Sequence, residues 1–264
     1  MGDLGGVYAV WLREFTVFKR EKSRVVSALV QPLMWIFLFG GGIGGSFSGS
    51  ASGLGLPPGY TYQQFIFPGI VMQSALFSSM FFGLYIVWDR KIDVLKEVLV
   101  SPVSRPAIFF GKVLGGCTDV MIQTSVLLVI GYFLLGMPGP GYAGTFLLAL
   151  GVVFLAAIGT VSIGLTLGSL FESLEGFQVV ITFLAFPLFF LSAGLFPLNP
   201  ALQTAQPAIF YVAHGNPITY PVDALHAVIL GWSAFHPAVS VAVTAGFALL
   251  MVGVGTLAFN RMKL

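Results

Sequence analysis

Asp119 and Gln123 are the residues whose type and spacing are most suggestive of chemistry in this sequence. They lie four residues apart in a long apolar stretch, so a helix would place both on one face. A carboxylate at that depth is costly unless it faces a cavity or a partner. The pair is therefore predicted either to line a path for a transported solute or to form a hydrogen-bonding clamp between helices.

The usual signatures of catalysis are missing from the sequence. Gly111-Lys112 lacks the upstream glycine and the following Ser or Thr of a phosphate-binding loop, so the chain is not expected to hydrolyse ATP by itself. No HExxH or GxSxG motif occurs, and the three histidines are too scattered to predict a metal site. A single cysteine excludes an intrachain disulfide framework. We predict no catalytic site, no metal and no cofactor in this chain.

Composition places the chain in a membrane. Of 264 residues, 57% are hydrophobic and 8% are charged, whereas soluble domains carry about 25% charged residues. These side chains cannot cover a water-facing surface, which excludes soluble enzymes and nucleic-acid-binding domains. The hydrophobicity is nearly uniform around each stretch and lacks the alternation of barrel strands. The sequence therefore predicts an all-α integral membrane protein.

The positive charges predict the topology. The twelve Lys and Arg residues lie at 13–24, at 90–112 and at the C-terminus. Cationic loops stay on the cytoplasmic side, so both termini and the middle loop are predicted to be cytoplasmic. About 20 apolar residues cross a bilayer, and six stretches qualify, several of them separated by Gly-, Pro- and Ser-rich segments at 40–59 and 137–144. The approximate bounds of these six predicted spans are 25–44, 65–88, 108–136, 144–170, 177–196 and 236–259.

Residues 1–24 precede the first span and contain an amphipathic helix predicted over 7–22. An aromatic face with a basic rim is typical of a helix that lies at the headgroup level. We expect this interfacial helix to anchor the transmembrane domain of residues 25–264, to dock a partner, or to do both. The residues that form its aromatic face and basic rim include Trp11, Phe15 and Phe18, and Arg13, Lys19 and Arg20.

A short cytoplasmic helix is predicted over Asp89–Val100, between the second and third spans. Its apolar residues recur every three or four positions, Pro102 would end it, and Ser104 would cap the next helix. We interpret it as a docking surface for another protein or as a helix that lies on lipid headgroups. Its charged residues are Asp89, Arg90, Lys91, Asp93, Lys96 and Glu97.

The fourth predicted span carries a row of small residues, and the turn after it carries two glutamates. Small residues recur every four positions along the span, at Ala156, Thr160, Gly164 and Gly168, and such a row permits close helix packing. Glu172 and Glu175 follow on the turn to the fifth span, where they either face a basic partner or are solvated.

The segment 197–232 is rich in proline yet still apolar. Its helical pieces are too short to span, so we predict a re-entrant pair that enters from outside and is buried in protein or lines a cavity. Asp223 and His226 would share one face of the second piece, where structural hydrogen bonds are expected.

Several segments together carry a family resemblance. They are QPLMWIFLFG in span one, FIFPGIVMQS at span two, the loop from DRK through LKEVLVSPVSRPAIFFGKVLG, and the later segments SIGLTLGSLFESLEGFQ, FPLFFLSAGLFPLNP and NPITYPVDALHAVILG. In this order they cover nearly the whole chain. They resemble the permease subunits of ATP-binding-cassette type-2 exporters, most of all the daunorubicin-resistance and nodulation-lipooligosaccharide type.

The resemblance implies six helices per subunit, an N-terminal interfacial helix, a cytoplasmic coupling helix at 89–100 and an external re-entrant helix pair. It also implies two permease chains, identical or related, around an export path in the cytoplasmic membrane of a prokaryote. Two separate ATPase subunits would bind ATP and Mg²⁺ and contact the charged residues of the coupling helix together with Glu172 and Glu175. At position 226 the chain has His where the family more often has Arg.

The expected function is ATP-driven export of a hydrophobic, drug-like or lipid-linked solute. The competing hypothesis is an ATP-independent secondary carrier or channel that uses Asp119, although such carriers commonly show inverted repeats and a conspicuous midplane ion site. A non-transporting membrane scaffold is the third. No nucleic-acid partner is expected.

Overall fold

The computed structural model describes residues 3–20, 22–39, 60–136 and 142–262. Within these residues the regular structure is helical and no strand occurs. The helices, in chain order, are α1 (Asp3–Arg20), α2 (Lys22–Phe37), α3 (Tyr62–Phe81), α4 (Leu84–Lys91), α5 (Val94–Val100), α6 (Arg105–Leu135), α7 (Tyr142–Leu170), α8 (Leu174–Phe190), α9 (Pro200–Ala205), α10 (Pro207–Gly215), α11 (Thr219–Leu230) and α12 (Pro237–Asn260).

Four helical segments of the described residues are long and apolar enough to cross a membrane. They coincide with the second, third, fourth and sixth predicted spans. The first of the four consists of α3 and α4, which join through Phe82 and Gly83. The chain is therefore all-helical where it is described, as predicted. The four segments are Tyr62–Lys91, Arg105–Leu135, Ala143–Leu170 and Pro237–Asn260.

The first and fifth predicted spans are matched by shorter helices. The fifth is α8, an apolar helix of 17 residues, which is about 26 Å long at 1.5 Å per residue. The first is α2 with its helical continuation to residue 39. The rest of that span, the separator at 40–59 and residues 137–141 of the second separator lie outside the described residues. Six spans therefore stay a prediction.

α3 lies at the centre of the bundle. Residues 65–76 of this helix are all buried, because α2, α6, α7, α8 and α11 pack around it. A helix that is enclosed on every side needs no polar stripe, which explains its nearly uniform hydrophobicity. The polar side chains that α3 does carry are therefore held inside the protein.

The row of small residues on α7 is confirmed as a packing surface. A Cβ atom at Gly164 would collide with the backbone carbonyl of Met80, and one at Gly168 would collide with that of Gly83. Ala156 and Thr160, in the same row, are buried. α7 thus touches the backbone of the α3–α4 junction, an approach that small residues permit.

The prediction of one continuous helix over Asp89–Val100 is wrong. α4 continues through Asp89 to Lys91, and α5 begins at Val94. Asp93 between them has a φ of 59°, a left-handed conformation that aspartate tolerates better than most residues. Ser104 caps α6 as predicted, because its side chain accepts a hydrogen bond from the backbone N–H of Ala107.

Three short helices, α9 to α11, occupy the segment where two pieces are predicted. α11 has 12 residues, too few to cross a bilayer, and it packs against α3, α7 and α12. Asp223 accepts a hydrogen bond from Ser240 Oγ at 2.7 Å, and His226 Nε2 donates to the Phe65 carbonyl oxygen at 2.9 Å. These contacts confirm the structural roles predicted for both residues. Re-entry of this segment into the membrane stays a prediction.

Candidate functional site: a buried charge cluster

Four charged side chains from three elements meet inside the protein. Lys112 of α6 is fully buried, and its Nζ donates to Glu14 Oε1 of α1 and to Asp89 Oδ2 of α4, both at 2.9 Å. Arg13 donates to Asp89 Oδ1 at 3.1 Å and to Glu14 Oε1 at 3.2 Å. We call these four residues the charge cluster, and the end of the bundle where they lie the cluster end.

The charge cluster is electrically balanced, with two cations and two carboxylates. Buried charges are tolerated when they are paired and hydrogen-bonded. The two carboxylates accept the hydrogen bonds that the Lys112 ammonium group would otherwise donate to water. Burial lowers the pKa of the Arg13 guanidinium, but its hydrogen bond to Asp89 and the attraction of both carboxylates outweigh that effect and raise the pKa above its ordinary value. Arg13 therefore stays charged at every physiological pH.

Two glycines of α6 let α1 reach the charge cluster. A Cβ atom at Gly111 would meet Val10 at 2.6 Å, and one at Gly115 would meet Glu14 at 2.7 Å. Both pairs advance by four residues, so the two helices run side by side in the same direction. α6 has 31 residues, about 46 Å, and exceeds a hydrocarbon core of roughly 30 Å. Its first turns can therefore extend beyond that core with α1 beside them.

Arg90, next to Asp89 on α4, holds the turn between α7 and α8. Its guanidinium donates to the carbonyl oxygens of Ser169 and Phe171, each at 2.9 Å. The last carbonyls of a helix lack an intrahelical partner, and a cation there also suits the helix dipole. Arg90 therefore links α4 to the turn that carries Glu172.

Replacement of Arg90 by methionine is expected to destabilise the protein by about 1.5–3 kcal/mol, because the two carbonyls lose a charged donor. Unfolding in detergent, followed by denaturant titration, measures this loss. Lys91→Met is the matched control, since Lys91 is exposed and should change the free energy of unfolding little. Equal stability of the two variants would contradict the capping role.

The structure places the predicted ATPase-interface residues in different environments, some buried and some exposed. Asp89 is buried in the charge cluster, which corrects its prediction as a surface residue, and Arg90 directs its guanidinium to the end of α7. Lys91 is exposed, and the side chain of Lys96 lies outside the described part of the chain. Four carboxylates are exposed around α5 and the α7–α8 turn, and we call them the acidic surface: Asp93, Glu97, Glu172 and Glu175.

The helix predicted over 7–22 is present as α1, which begins earlier, at Asp3, and ends at Arg20. Trp11 stacks on Phe15 with ring centroids 5.6 Å apart and donates from Nε1 to Thr118 Oγ1 at 3.0 Å, while Phe18 is half-buried. The aromatic side of α1 thus has a contact with α6 that amphipathicity does not predict. Its position at the membrane interface stays a prediction. The buried residues of α1 are Gly6, Val10 and Glu14.

Asp119 and Gln123 both lie on the buried face of α6. Gln123 Nε2 donates to Ser74 Oγ of α3, which supports the predicted clamp between helices. Gln123 also borders a cavity whose described lining does not include Asp119. A role for Asp119 on a transport path stays a prediction.

Glu14 belongs to the candidate site but is not predicted from the sequence, and the sequence does not indicate the partners of Lys112. One signal was present, because Val10 and Glu14 repeat the four-residue spacing of Gly111 and Gly115. Equal spacing is compatible with packing of these faces of α1 and α6 in register, but it does not show that the two helices are neighbours. The partners of a buried charge are set by contacts between distant parts of the chain.

Comparison with known proteins places the sequence in a family. Residues 6–230 match the model of a family described as ABC-2 type transporter, a range that includes all four residues of the charge cluster. The chain belongs to this family. The resemblance inferred from the sequence is therefore confirmed.

Two relatives of this ABC-2 chain match over most of their length. Nodulation protein J of Rhizobium meliloti (strain 1021) is 24% identical over 258 residues, which cover 96% of this chain and 92% of the relative. The inner membrane transport permease YadH of Escherichia coli (strain K12) is 27% identical over 231 residues, which cover 84% of this chain and 82% of the relative. The chain is thus a membrane-embedded ABC-2 transport permease.

Proposed function

We propose that this ABC-2 permease is the membrane subunit of an ATP-driven exporter in the cytoplasmic membrane of a prokaryote. Separate ATPase subunits, present in two copies, bind ATP and Mg²⁺ and dock at the cluster end, which faces the cytoplasm. Two permease chains, identical or related, enclose the export path. The transported solute is hydrophobic, drug-like or lipid-linked. The link between the charge cluster and the acidic surface carries this proposal.

The acidic surface has the composition of a docking site. Its carboxylates are exposed, and the nearby apolar side chains of Ile92 and Val100 are 52% and 76% exposed. Apolar contacts surrounded by charged groups are common at interfaces between proteins. The four exposed carboxylates can pair with basic groups of a partner, and the exposed Lys91 beside them can pair with an acidic group. This combination supports docking of the ATPase subunit at α5 and the α7–α8 turn.

The charge cluster connects that docking site to the membrane helices. α5 follows α4 after a two-residue turn, and Asp89 of α4 binds Lys112 of α6. Lys112 also binds Glu14 of α1, and Val103 of the connector before α6 contacts Gly6 of α1. A displacement of α5 would therefore move the second and third spans and α1 together. This is the step by which closure of the ATPase subunits would open the export path.

Co-expression of the permease with ATPase subunits encoded beside it tests the proposal. We expect a complex that survives purification in mild detergent and whose ATP hydrolysis depends on the permease. Glu97→Lys combined with Glu172→Lys should weaken this complex at least about tenfold, since like charges across an interface cost several kcal/mol. Asp93 is left unchanged because a lysine would strain its left-handed backbone.

Gln203→Lys combined with Gln206→Lys is the matched control. Both glutamines are exposed, and they follow α8, whereas Glu172 precedes it. The control should retain the ATPase subunit and its permease-dependent activity. Full retention by the Glu97 and Glu172 variant would remove the acidic surface from the interface. A permease that transports with no ATPase partner would favour the secondary carrier instead.

A further inference from the structure

A cavity of about 170 Å³ lies between α2, α3 and α6. Phe77 and Phe81 form part of its wall, with their rings stacked 6.4 Å between centroids. None of its described lining residues is charged. Amides and hydroxyls from three different helices supply its polar groups: Gln31, Gln73, Ser74, Ser78 and Gln123.

Gln73 is the residue that points to a ligand. Its side chain lies on the central helix and is 2% exposed, and the described part of the chain provides no hydrogen-bond partner for its Nε2. Such a group costs free energy when it is left unpaired among apolar neighbours. Rotation about the last side-chain bond lets the amide present either its nitrogen or its oxygen to the cavity. Gln73 can therefore donate to a group that enters from outside the chain.

The lining selects the chemistry of that group. A charged group would have no counter-charge among the described lining residues and would be strongly disfavoured. An engineered cavity of about 150 Å³ holds benzene, so this cavity accommodates a group the size of a six-membered ring. A mostly apolar pocket with a few polar groups is the usual form of a small-molecule site. An uncharged ring with a hydrogen-bond acceptor fits these conditions.

We propose that this glutamine-lined cavity binds the uncharged, hydrogen-bond-accepting head of an amphiphilic solute. Gln73 donates to the head, while Phe77 and Phe81 contact the first part of its apolar tail. The proposal rests on the proposed function, because it names the class of solute that the permease would carry. It does not depend on the ATPase subunit, so the two can fail separately.

Photolabelling of the permease in membranes without ATP tests the site. Three probes share a decyl tail with a diazirine near the head and differ in a six-membered ring: an N-alkyl lactam, an N-alkyl-N-methylpiperidinium and a cyclohexane. The lactam should label α2, α3 and α6 beside the cavity, and excess unlabelled lactam should suppress that labelling. The other two probes should label these helices at least about threefold less, since one lacks the acceptor and the other is charged.

Gln73→Leu should reduce lactam labelling by about threefold to tenfold, the effect of one hydrogen bond, and leave cyclohexane labelling unchanged. Gln178→Leu is the control, since Gln178 is an exposed glutamine of α8 that does not line this cavity. Equal labelling by lactam and cyclohexane would overturn the proposal, as would unaltered lactam labelling of Gln73→Leu. If that variant does not fold, the comparison of the three probes on the unaltered protein decides.

Discussion

Replacement of Lys112 by methionine is expected to destabilise the protein by about 3–5 kcal/mol, the usual result of removing one partner from a buried ion pair. Methionine fills a similar volume, so the loss comes from charge and not from a cavity. Glu14 and Asp89 would then lie buried with Arg13 as their remaining partner in the cluster. Denaturant titration of the purified permease in detergent measures the change.

A compensated variant separates charge from packing in this experiment. Lys112→Met combined with Glu14→Gln removes the one uncompensated carboxylate, leaves the Arg13–Asp89 pair intact and should regain most of the lost stability. Lys91→Met, at an exposed position of α4, should have little effect. Native stability of Lys112→Met alone would mean that the charge cluster does not hold α1, α4 and α6 together.

Gly164→Leu is expected to be as damaging, with a loss of roughly 3 kcal/mol or more from overpacking. The group that a side chain would meet is the backbone carbonyl of Met80, which cannot rotate away as a side chain can. α7 would have to separate from the α3–α4 junction. Size-exclusion chromatography and thermal unfolding of the detergent-solubilised variant report this separation.

Gly151→Leu provides the control on the same helix. The described structure places nothing within 4 Å of a Cβ atom at Gly151, and leucine favours a helix over glycine by up to about 1 kcal/mol. This variant should be as stable as the native protein or slightly more stable. A similar loss in both variants would show that the small-residue row of α7 has no special role in packing.

The two short helices at 89–100 show where periodicity stops being informative. Apolar residues at helical spacing are compatible with one helix or with two that share a face, and the turn at Asp93 is visible only in the backbone. The consequence is large, because the turn leaves Asp89 on α4, where it faces Lys112. The same residue on a separate surface helix would have been exposed.

The burial of polar groups is also not predictable from periodicity within one helix. Hydrophobicity identifies α3 as a membrane helix, yet its central position follows from the helices that surround it. Gln73 is a polar residue in a largely apolar run, and the absence of a hydrogen-bond partner for its Nε2 among the described residues becomes apparent only where α2, α3 and α6 meet at the cavity. Asp119 and Gln123 lie on one face of α6 as their spacing predicts, but the partner of Gln123 is Ser74 of α3, which spacing within α6 does not indicate.

The sequence alone determined the membrane class, the order of the apolar segments, the capping of α6 and the small-residue row of α7, because each depends on composition or on spacing within one helix. The tertiary structure decided which charges are buried together, since Glu14, Asp89 and Lys112 are distant in sequence and meet only through helix packing. It also decided which carboxylates stay exposed. Local spacing specifies the face of a helix, whereas the free energy of a buried charge depends on the partner that packing brings to it.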